Sequence, residues 1–215
     1  MIIDLHVHER THSLDSVLSL EEIIQQGEKL GLDGVCITDH ESQEIRFQLL
    51  RYRRETTLRL FYGMEILTPH GDLLVFGVDD MPSVKQGTDA FIQAVNRQQG
   101  ALVSAHPFRR NNRGFGEAIR RFPQLHAVES YNGNTPDRYN RQAVDLGRQL
   151  SMPLVGGSDA HRMERLGIYA TRFNVEIHSE KQLAQAIRRG LGSPVKRTDK
   201  GYQSLIDGVE QQKAM

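Results

Sequence analysis

The sequence predicts one α/β domain built on a mostly parallel sheet. Three observations carry that expectation. Short apolar runs alternate with longer stretches of helical periodicity, the pattern of βα units. Several helix edges carry their expected punctuation. A chain of 215 residues is long enough for a single domain with a substantial core. Hydrophobic residues make up 38% and charged residues 25%, spread rather than blocked, which is the composition of a globular chain and not of a disordered one.

The first apolar run, Ile2–Val7, predicts a strand, and periodicity over 20–30 predicts the helix that follows. Ser19 stands before Leu20-Glu21-Glu22 as an N-cap, and Gly31 after Lys29-Leu30 as a stop. A strand at 34–38 and a helix at 44–56 come next. Apolar runs at 58–67 and 73–78 flank Pro69-His70-Gly71-Asp72, a turn signal that predicts a hairpin and so one antiparallel pair within the βα order. Helix 89–99, strand 101–105, helix 117–122, strand 127–130, helix 137–150 and strand 153–157 continue the alternation. Helix 180–189 ends on Gly190. From Pro194 onward the chain is polar and reads as a closing helix or a loosely held terminus. Neither a linker nor an internal repeat divides 1–215, so a single domain is expected.

Lys and Arg number 27 against 27 Asp and Glu, so no global field favours a nucleic-acid or membrane surface. Sequence-specific nucleic-acid binding is not expected, and the oligomeric state is not readable. No segment approaches the roughly 20 apolar residues that a spanning helix needs. No basic start followed by a long apolar run opens the chain, which makes a cytoplasmic location the expectation. The single cysteine, Cys36, lies in Gly34-Val35-Cys36-Ile37 and reads as a buried strand thiol rather than a nucleophile.

The chemistry-bearing residues fall at the ends of the apolar runs. His6 and His8 close the first, His40 ends Ile37-Thr38-Asp39-His40, and Glu65 lies at the end of the third. His106 follows Leu102-Val103-Ser104-Ala105, Glu129 follows Ala127-Val128, and Asp159 and His161 follow Leu154-Val155-Gly156-Gly157-Ser158. Parallel strands of a barrel point their C-terminal ends to one face, so these residues are expected to converge there. His6 and His8 stand at i and i+2, on the same side of a strand. Imidazole and carboxylate together suit Zn, Mn or Fe, and the near absence of thiol argues against a structural Cys-rich zinc site. Asp39, beside His40, is expected to orient an imidazole rather than bind an ion.

The strings Asp-Leu-His6-Val-His8, His12-Ser-Leu-Asp15-Ser, Ile-Thr-Asp-His40, Gly-Met-Glu65, Ala-His106-Pro and Gly-Gly-Ser-Asp159-Ala-His161 resemble the polymerase and histidinol phosphatase (PHP) family, in order, over residues 2 to about 190. The resemblance implies a distorted (β/α)7 TIM-like barrel with two to three divalent ions at its C-terminal mouth. It implies that His6, His8, Glu65 and Asp159 hold the first ion, that Glu65 bridges to a second held also by His106, and that Asp15, His40 and His161 hold the third. Relatives use either a His or an Asp in the first loop. Ser13-Leu14-Asp15-Ser16 resembles the aspartate version, which leaves His12 beside the metal or facing substrate. Glu129 stands at a position that varies in the family and reads as a ligand or as a carboxylate beside the metal. His70 reads as a further second-site ligand or as a turn imidazole in water.

Adjacent divalent ions activate a water for attack on phosphorus, with His8, Glu65 and Asp159 central to holding them, so the expected activity is hydrolysis of a small phosphorylated metabolite or nucleotide. Arg109 and then Arg113, on the run after His106-Pro107-Phe108, are the expected phosphate clamps because guanidinium pairs bidentately with phosphate. Two alternatives stand beside this reading. One is an amidohydrolase-type C–N hydrolase, which expects a bridging Lys that no strand end here supplies. The other is a metal-stabilised module without catalysis of its own.

Overall fold

The computed structural model describes residues 1–206. β1 (Ile2–Val7) runs parallel to β2 (Gly34–Ile37), and α1 (Leu20–Lys29) joins them. The Ser19 hydroxyl accepts the Glu22 N–H while the Glu22 carboxylate accepts the Ser19 N–H, a reciprocal cap that starts α1. Leu20, Ile23, Ile24 and Gly27 make its buried face. α2 (Ile45–Tyr52) leads to β3 (Arg59–Thr68), parallel to β2. β4 (Gly71–Phe76) then folds back on β3, with Thr68 opposite Gly71, so that only Pro69 and His70 make the loop. Gly71 has a φ of 145°, and a Cβ there would lie 2.6 Å from the Phe115 backbone nitrogen, so glycine is required.

α3 (Thr88–Arg97) leads to β5 (Ala101–Ser104), antiparallel to β4. β6 (Ala127–Asn132), α4 (Asp137–Gln149) and β7 (Leu154–Gly157) return to parallel order. β8 (Tyr169–Phe173) runs antiparallel to β1, and after α5 (Glu180–Arg188), β9 (Gly192–Thr198) and β10 (Gly201–Ser204) extend the sheet as a hairpin. Among the described residues the sheet order is β10-β9-β8-β1-β2-β3-β4-β5-β6-β7.

The sheet curls until its β7 edge returns to β1. Asp159 N–H donates to His6 O at 2.7 Å and His8 N–H to Ala160 O at 3.1 Å. The buried Asp4 carboxylate seals the same seam, accepting the Ser158 and Gly167 N–H groups at 2.8 and 3.0 Å. Ile3, Phe61, Leu74, Val103, Val155 and Phe173 meet in one cluster inside the curl, which α5 joins through Leu183 and Ile187. Two outer clusters lie under α1 and α2 and under α3 and α4. Cys36 is buried in β2, as expected.

The α/β class and most elements match the sequence reading, and the differences have physical causes. The hairpin at 69–70 belongs to a three-strand antiparallel segment, β3-β4-β5. β8, β9 and β10 were not expected: β9 carries Pro194, β9 and β10 are largely polar, and β8 is a run of only five residues, Tyr169–Phe173, held by pairing to β1 and β9. The ten strands therefore exceed the seven anticipated. Residues 194–204, expected as part of a closing helix or loose terminus, belong to this hairpin, and the stretch beyond residue 206 lies outside the described residues. Helix 117–122 is a 3₁₀ turn at Gly116–Arg121. Among the described residues no helix is long and apolar enough to cross a membrane.

His126 links β5 and β6: its N–H donates to Leu102 O at 2.9 Å and its Nδ1 accepts Leu102 N–H at 3.0 Å. Burial, followed by the Arg188 charge, lowers its pKa from 6.5 to about 4. The unfolded chain therefore takes up this proton first as pH falls, and stability present above pH 6.5 is lost towards pH 4. Denaturant unfolding at pH 7 and pH 5 is expected to show a smaller loss for His126→Asn, which keeps an acceptor for Leu102 without the titration. An equal loss in both proteins would contradict this.

Candidate metal centre

The C-terminal ends of β1, β2, β5 and β7, and the second half of β3, deliver the expected residues to one place. From β1, the His6 and His8 imidazoles approach with their Nε2 atoms 3.0 Å apart. Their tautomers follow from what their other nitrogens meet. His6 Nδ1 lies 2.9 Å from Glu129 Oε1, a carboxylate that only accepts, so Nδ1 carries the proton of a neutral His6. The Ser13 hydroxyl donates to Asp39 Oδ1 at 2.8 Å, so its oxygen accepts from His8 Nδ1 at 3.1 Å. In the neutral imidazoles both Nε2 atoms are then lone pairs facing each other.

Two carboxylates meet the same point. Glu65 Oε2 lies 3.4 and 3.3 Å from the two Nε2 atoms, and Asp159 Oδ1 lies 3.5 and 3.3 Å from them. Four acceptors thus surround a space that neutral imidazoles leave without a donor. Burial opposes charge on His6 and His8, but the surrounding carboxylates outweigh it, holding His6 well above its ordinary range and His8 at about 9. Reciprocally, burial pushes Glu65 and Asp159 up, and the imidazoles hold both well below the ordinary carboxylate range. The site demands a positive charge at its centre, and the donor set suits a divalent ion.

Glu65 faces two ways. Its Oε1 meets His106 Nε2 at 2.8 Å while its Oε2 serves the β1 pair, which is the geometry of a bridge between two ion positions. Four groups each bring their ligand atoms within 4.8 Å of one another: His6-His8-Glu65, His6-His106-Asp159, Glu65-Asp72-His106 and His8-His40-His161. Asp15, though more than half exposed, places Oδ2 between His40 Nε2 at 3.2 Å and His161 Nε2 at 3.1 Å. His106 Nδ1 and Asp72 Oδ1 are buried without a partner, and His40 Nδ1 lies 3.0 Å from Glu65 Oε2 but out of line for a hydrogen bond. These orphaned atoms fit cation ligation.

Asp72 is the residue that sequence reasoning missed, since it reads there as part of a turn. It is fully buried on β4, with Oδ2 3.7 Å from His106 Nε2, and burial followed by the Glu65 charge raises its pKa to about 6. The hairpin register was the available signal, because it returns β4 past Glu65. Asn132 was also missed. It is fully buried; its Nδ2 donates to Glu129 Oε2 at 2.9 Å and Asp159 Oδ2 at 3.2 Å, and its Oδ1 accepts from Arg109 at 2.7 Å. Both Glu129 oxygens accept from donors: His6 Nδ1 on one side, the His106 N–H and Asn132 on the other.

A cavity of about 290 Å³ opens over these groups, walled in part by Arg109, Asn111, Arg113 and Asn134. Each expected clamp is anchored to an acid: Arg109 to Asp159, and Arg113 Nε to Asp72 Oδ2 at 2.6 Å. His12 stays outside the lining of this cavity, with its ring 3.5 Å from Gln48 Nε2. His70 lies apart as well, its Nδ1 2.8 Å from the Thr88 hydroxyl and its ring against Phe122. The backbone is bent to reach this arrangement: φ is 27° at His106 and 51° at Asp159, conformations that non-glycine residues rarely adopt.

Comparison with known proteins bears on this site. Residues 4–104 match the family profile described as PHP domain, and residues 137–191 the one described as PHP-associated. An uncharacterized protein of Methanocaldococcus jannaschii is 25% identical over 151 residues, covering 66% of this chain and 84% of that protein. A two-domain protein of Bacteroides vulgatus containing a predicted PHP-like metal-dependent phosphoesterase superposes with a TM-score of 0.68 at 19% identity, over 90% of this chain and 64% of that one. A lesion-specific endonuclease of Pyrococcus furiosus superposes with a TM-score of 0.62 at 14% identity, over 87% of this chain and 55% of that one. The chain thus spans less than two thirds of either solved protein, and likeness at these identities speaks to the fold.

Gly157 permits the closest approach in the site: a Cβ there would lie 2.7 Å from His6 Cβ and 2.8 Å from Glu129 Oε1. Gly157→Ala is expected to fold but to bind Mn²⁺ about 10–100-fold more weakly in calorimetric titration, the loss typical of disturbing a group that orients a ligand. Unchanged affinity would show that this contact does not set the ring.

Proposed function

The chain belongs to the PHP family, and on that premise we propose that it is a metal-dependent phosphoesterase that hydrolyses a small phosphorylated metabolite or nucleotide. The observation that carries the reading is the convergence of two imidazole lone pairs and two carboxylate oxygens, with Glu65 facing a second cluster. In this reading residues 1–215 form one domain, a distorted (β/α)7 barrel of the PHP type to which β8 and the terminal hairpin β9–β10 are added.

His6, His8, Glu65 and Asp159 would hold one divalent ion, Glu65, His106 and Asp72 a second, and Asp15, His40 and His161 a third; Zn, Mn or Fe suits this set. Such ions, when bound, lower the pKa of a water between them and offset charge on the phosphoryl oxygens. The chain's own residues do the rest. Glu129 and the Asp39–Ser13 pair fix the ring protons of His6 and His8, so each presents a lone pair inward. Arg109 and Arg113 are each tethered to an acid, which fixes their planes and leaves further N–H donors on the cavity wall for phosphoryl oxygens. Asp159 is held through Arg109 and Asn132, so the clamp and the ligand set are one hydrogen-bonded unit. A C–N hydrolase of the amidohydrolase type would want a bridging Lys; Glu65 stands in that place and no Lys lines this cavity among the described residues.

Purified protein is expected to hydrolyse members of a panel of p-nitrophenyl phosphate, histidinol phosphate and nucleotides, to lose activity on chelation, and to regain it with Mn²⁺ or Zn²⁺. His8→Ala and Asp159→Ala are expected to lower turnover by about two orders of magnitude or more while the circular dichroism spectrum is retained. Full turnover in both variants would refute the assignment. Metal binding without turnover of any substrate would favour the non-catalytic module.

A further inference from the structure

The β7–β8 connection, residues 158–168, opens on Asp159 and His161 and ends on three successive carbonyls that all accept from the terminal hairpin. Arg197 Nη1 donates to Leu166 O at 2.9 Å, the Tyr202 hydroxyl to Gly167 O at 3.0 Å and the Arg197 N–H to Ile168 O at 3.0 Å. Gly167 has a φ of 66°, and a Cβ there would lie 2.6 Å from the Tyr202 hydroxyl oxygen, so glycine is required for this approach. Its N–H in turn donates to Asp4 Oδ2 at 3.0 Å. The other Asp4 oxygen accepts the Ser158 N–H at 2.8 Å and the His6 N–H at 3.3 Å. One buried carboxylate therefore ties the far end of the connection to its start, and both to the strand that carries His6 and His8. Burial, followed by the Asp4 charge, holds the Tyr202 hydroxyl above its ordinary range, so it keeps its proton and donates. The hairpin adds little to the core: of its described residues Val195 lies within a buried cluster and Tyr202 packs against the same one.

We propose that Tyr202 and Arg197 are positioning residues of the metal centre: through the 158–168 connection the terminal hairpin sets where Asp159 and His161 stand, and with them the affinity for divalent ions. The proposal rests on the reading of these residues as ligands and adds a determinant that lies well beyond the last of them in sequence. Asp159 presents its carboxylate from a backbone at a φ of 51°, a conformation that has to be held by its surroundings. The start of the connection is fastened by Asp159 N–H to His6 O and by Val17 N–H to His161 O at 3.0 Å. A connection held there alone could swing about its start. The bonds at Leu166, Gly167 and Ile168 remove that freedom before an ion arrives, so binding has less ordering left to supply. Releasing them raises the cost of assembling the ligand set without touching a ligand.

Tyr202→Phe removes one oxygen and keeps the ring, and Arg197→Met removes the Leu166 contact and keeps the backbone N–H. In calorimetric titration of the chelator-treated full-length protein with Mn²⁺, both are expected to bind about 3–30-fold more weakly than wild type, the range over which residues modulate a site through intervening structure. Lys200→Ala, in the exposed β9–β10 turn, is expected to bind as wild type does. Arg197→Lys, which keeps a donor for Leu166 O, is expected to recover part of the loss. In the metal-free protein, amide hydrogen exchange is expected to quicken at Ser158 and Gly167 in Tyr202→Phe and to stay unchanged at Cys36, in the middle of the sheet. Turnover in both variants is expected to fall at limiting Mn²⁺ and to return at excess, as a lowered metal affinity requires and a misfolded fraction does not. Wild-type Mn²⁺ affinity in Tyr202→Phe and Arg197→Met would overturn the proposal and leave the metal centre standing. Quickened exchange with unchanged affinity would overturn it too, by confining the hairpin to a structural part. Absence of Mn²⁺ binding in wild type would end the reading of the metal centre itself, and the proposal with it.

Discussion

Two imidazole nitrogens and two carboxylate oxygens share one small buried space, and in the neutral imidazoles no hydrogen is available to separate them. His6 and His8 have their protons drawn outward, by Glu129 and by the Ser13–Asp39 pair, so the inward nitrogens present lone pairs to each other and to Glu65 and Asp159. Like charges and lone pairs at 3.0–3.5 Å in a buried site repel unless a proton or cation stands between them. The groups around them are arranged to impose this condition, which is why Asn132, Ser13, Asp39 and Glu129 are buried polar residues at the heart of an otherwise apolar fold.

That demand shapes the backbone. His106 and Asp159 adopt positive φ, and such strain persists only where surrounding contacts determine it. Asp159 N–H is bonded to His6 O, and His106 N–H to Glu129 Oε2, so each bent residue is pinned by the element beside it. Asp4 adds a third fastening, with its buried carboxylate gathering the N–H groups of Ser158 and Gly167 across the seam where the curled sheet meets itself. The closure of the sheet and the assembly of the site are therefore one event: unpinning β7 from β1 would move Asp159 and His161 away from His6 and His8.

Charge balance follows the same logic outward. The central acids are countered by imidazole, and arginine adds to this from outside, with Arg109 on the outer oxygen of Asp159 and Arg113 on Asp72. Beyond Asn134 the adjoining recess is lined by Arg165 and Lys196. An anionic cage and a ring of cations thus create opposite local potentials side by side, although the formal charge of the whole chain is zero.

The sequence by itself determined the α/β class, the order of the main elements and the identity of the residues drawn together at the strand ends. It could do so because strand periodicity puts His6 and His8 on one side, and because strand ends of a curled parallel sheet converge whatever lies between them. Arg109 and Arg113 were legible as residues near the cavity, but not as partners of Asp159 and Asp72. Only tertiary structure decided the rest. Asp72 is a turn residue in sequence and a buried acid beside His106 once the hairpin returns; His70, two residues earlier, is carried away to Thr88. Both Glu129 oxygens meet donors, His6 Nδ1 on one side and the His106 N–H and Asn132 on the other, a pairing that no local pattern announces. β9 and β10 lack a strand pattern of their own and are held by pairing, β9 to the edge of β8 and β10 to β9. Periodicity reports which way a side chain points along its own element, whereas hydrogen-bond partners across elements are fixed by packing that no local pattern encodes.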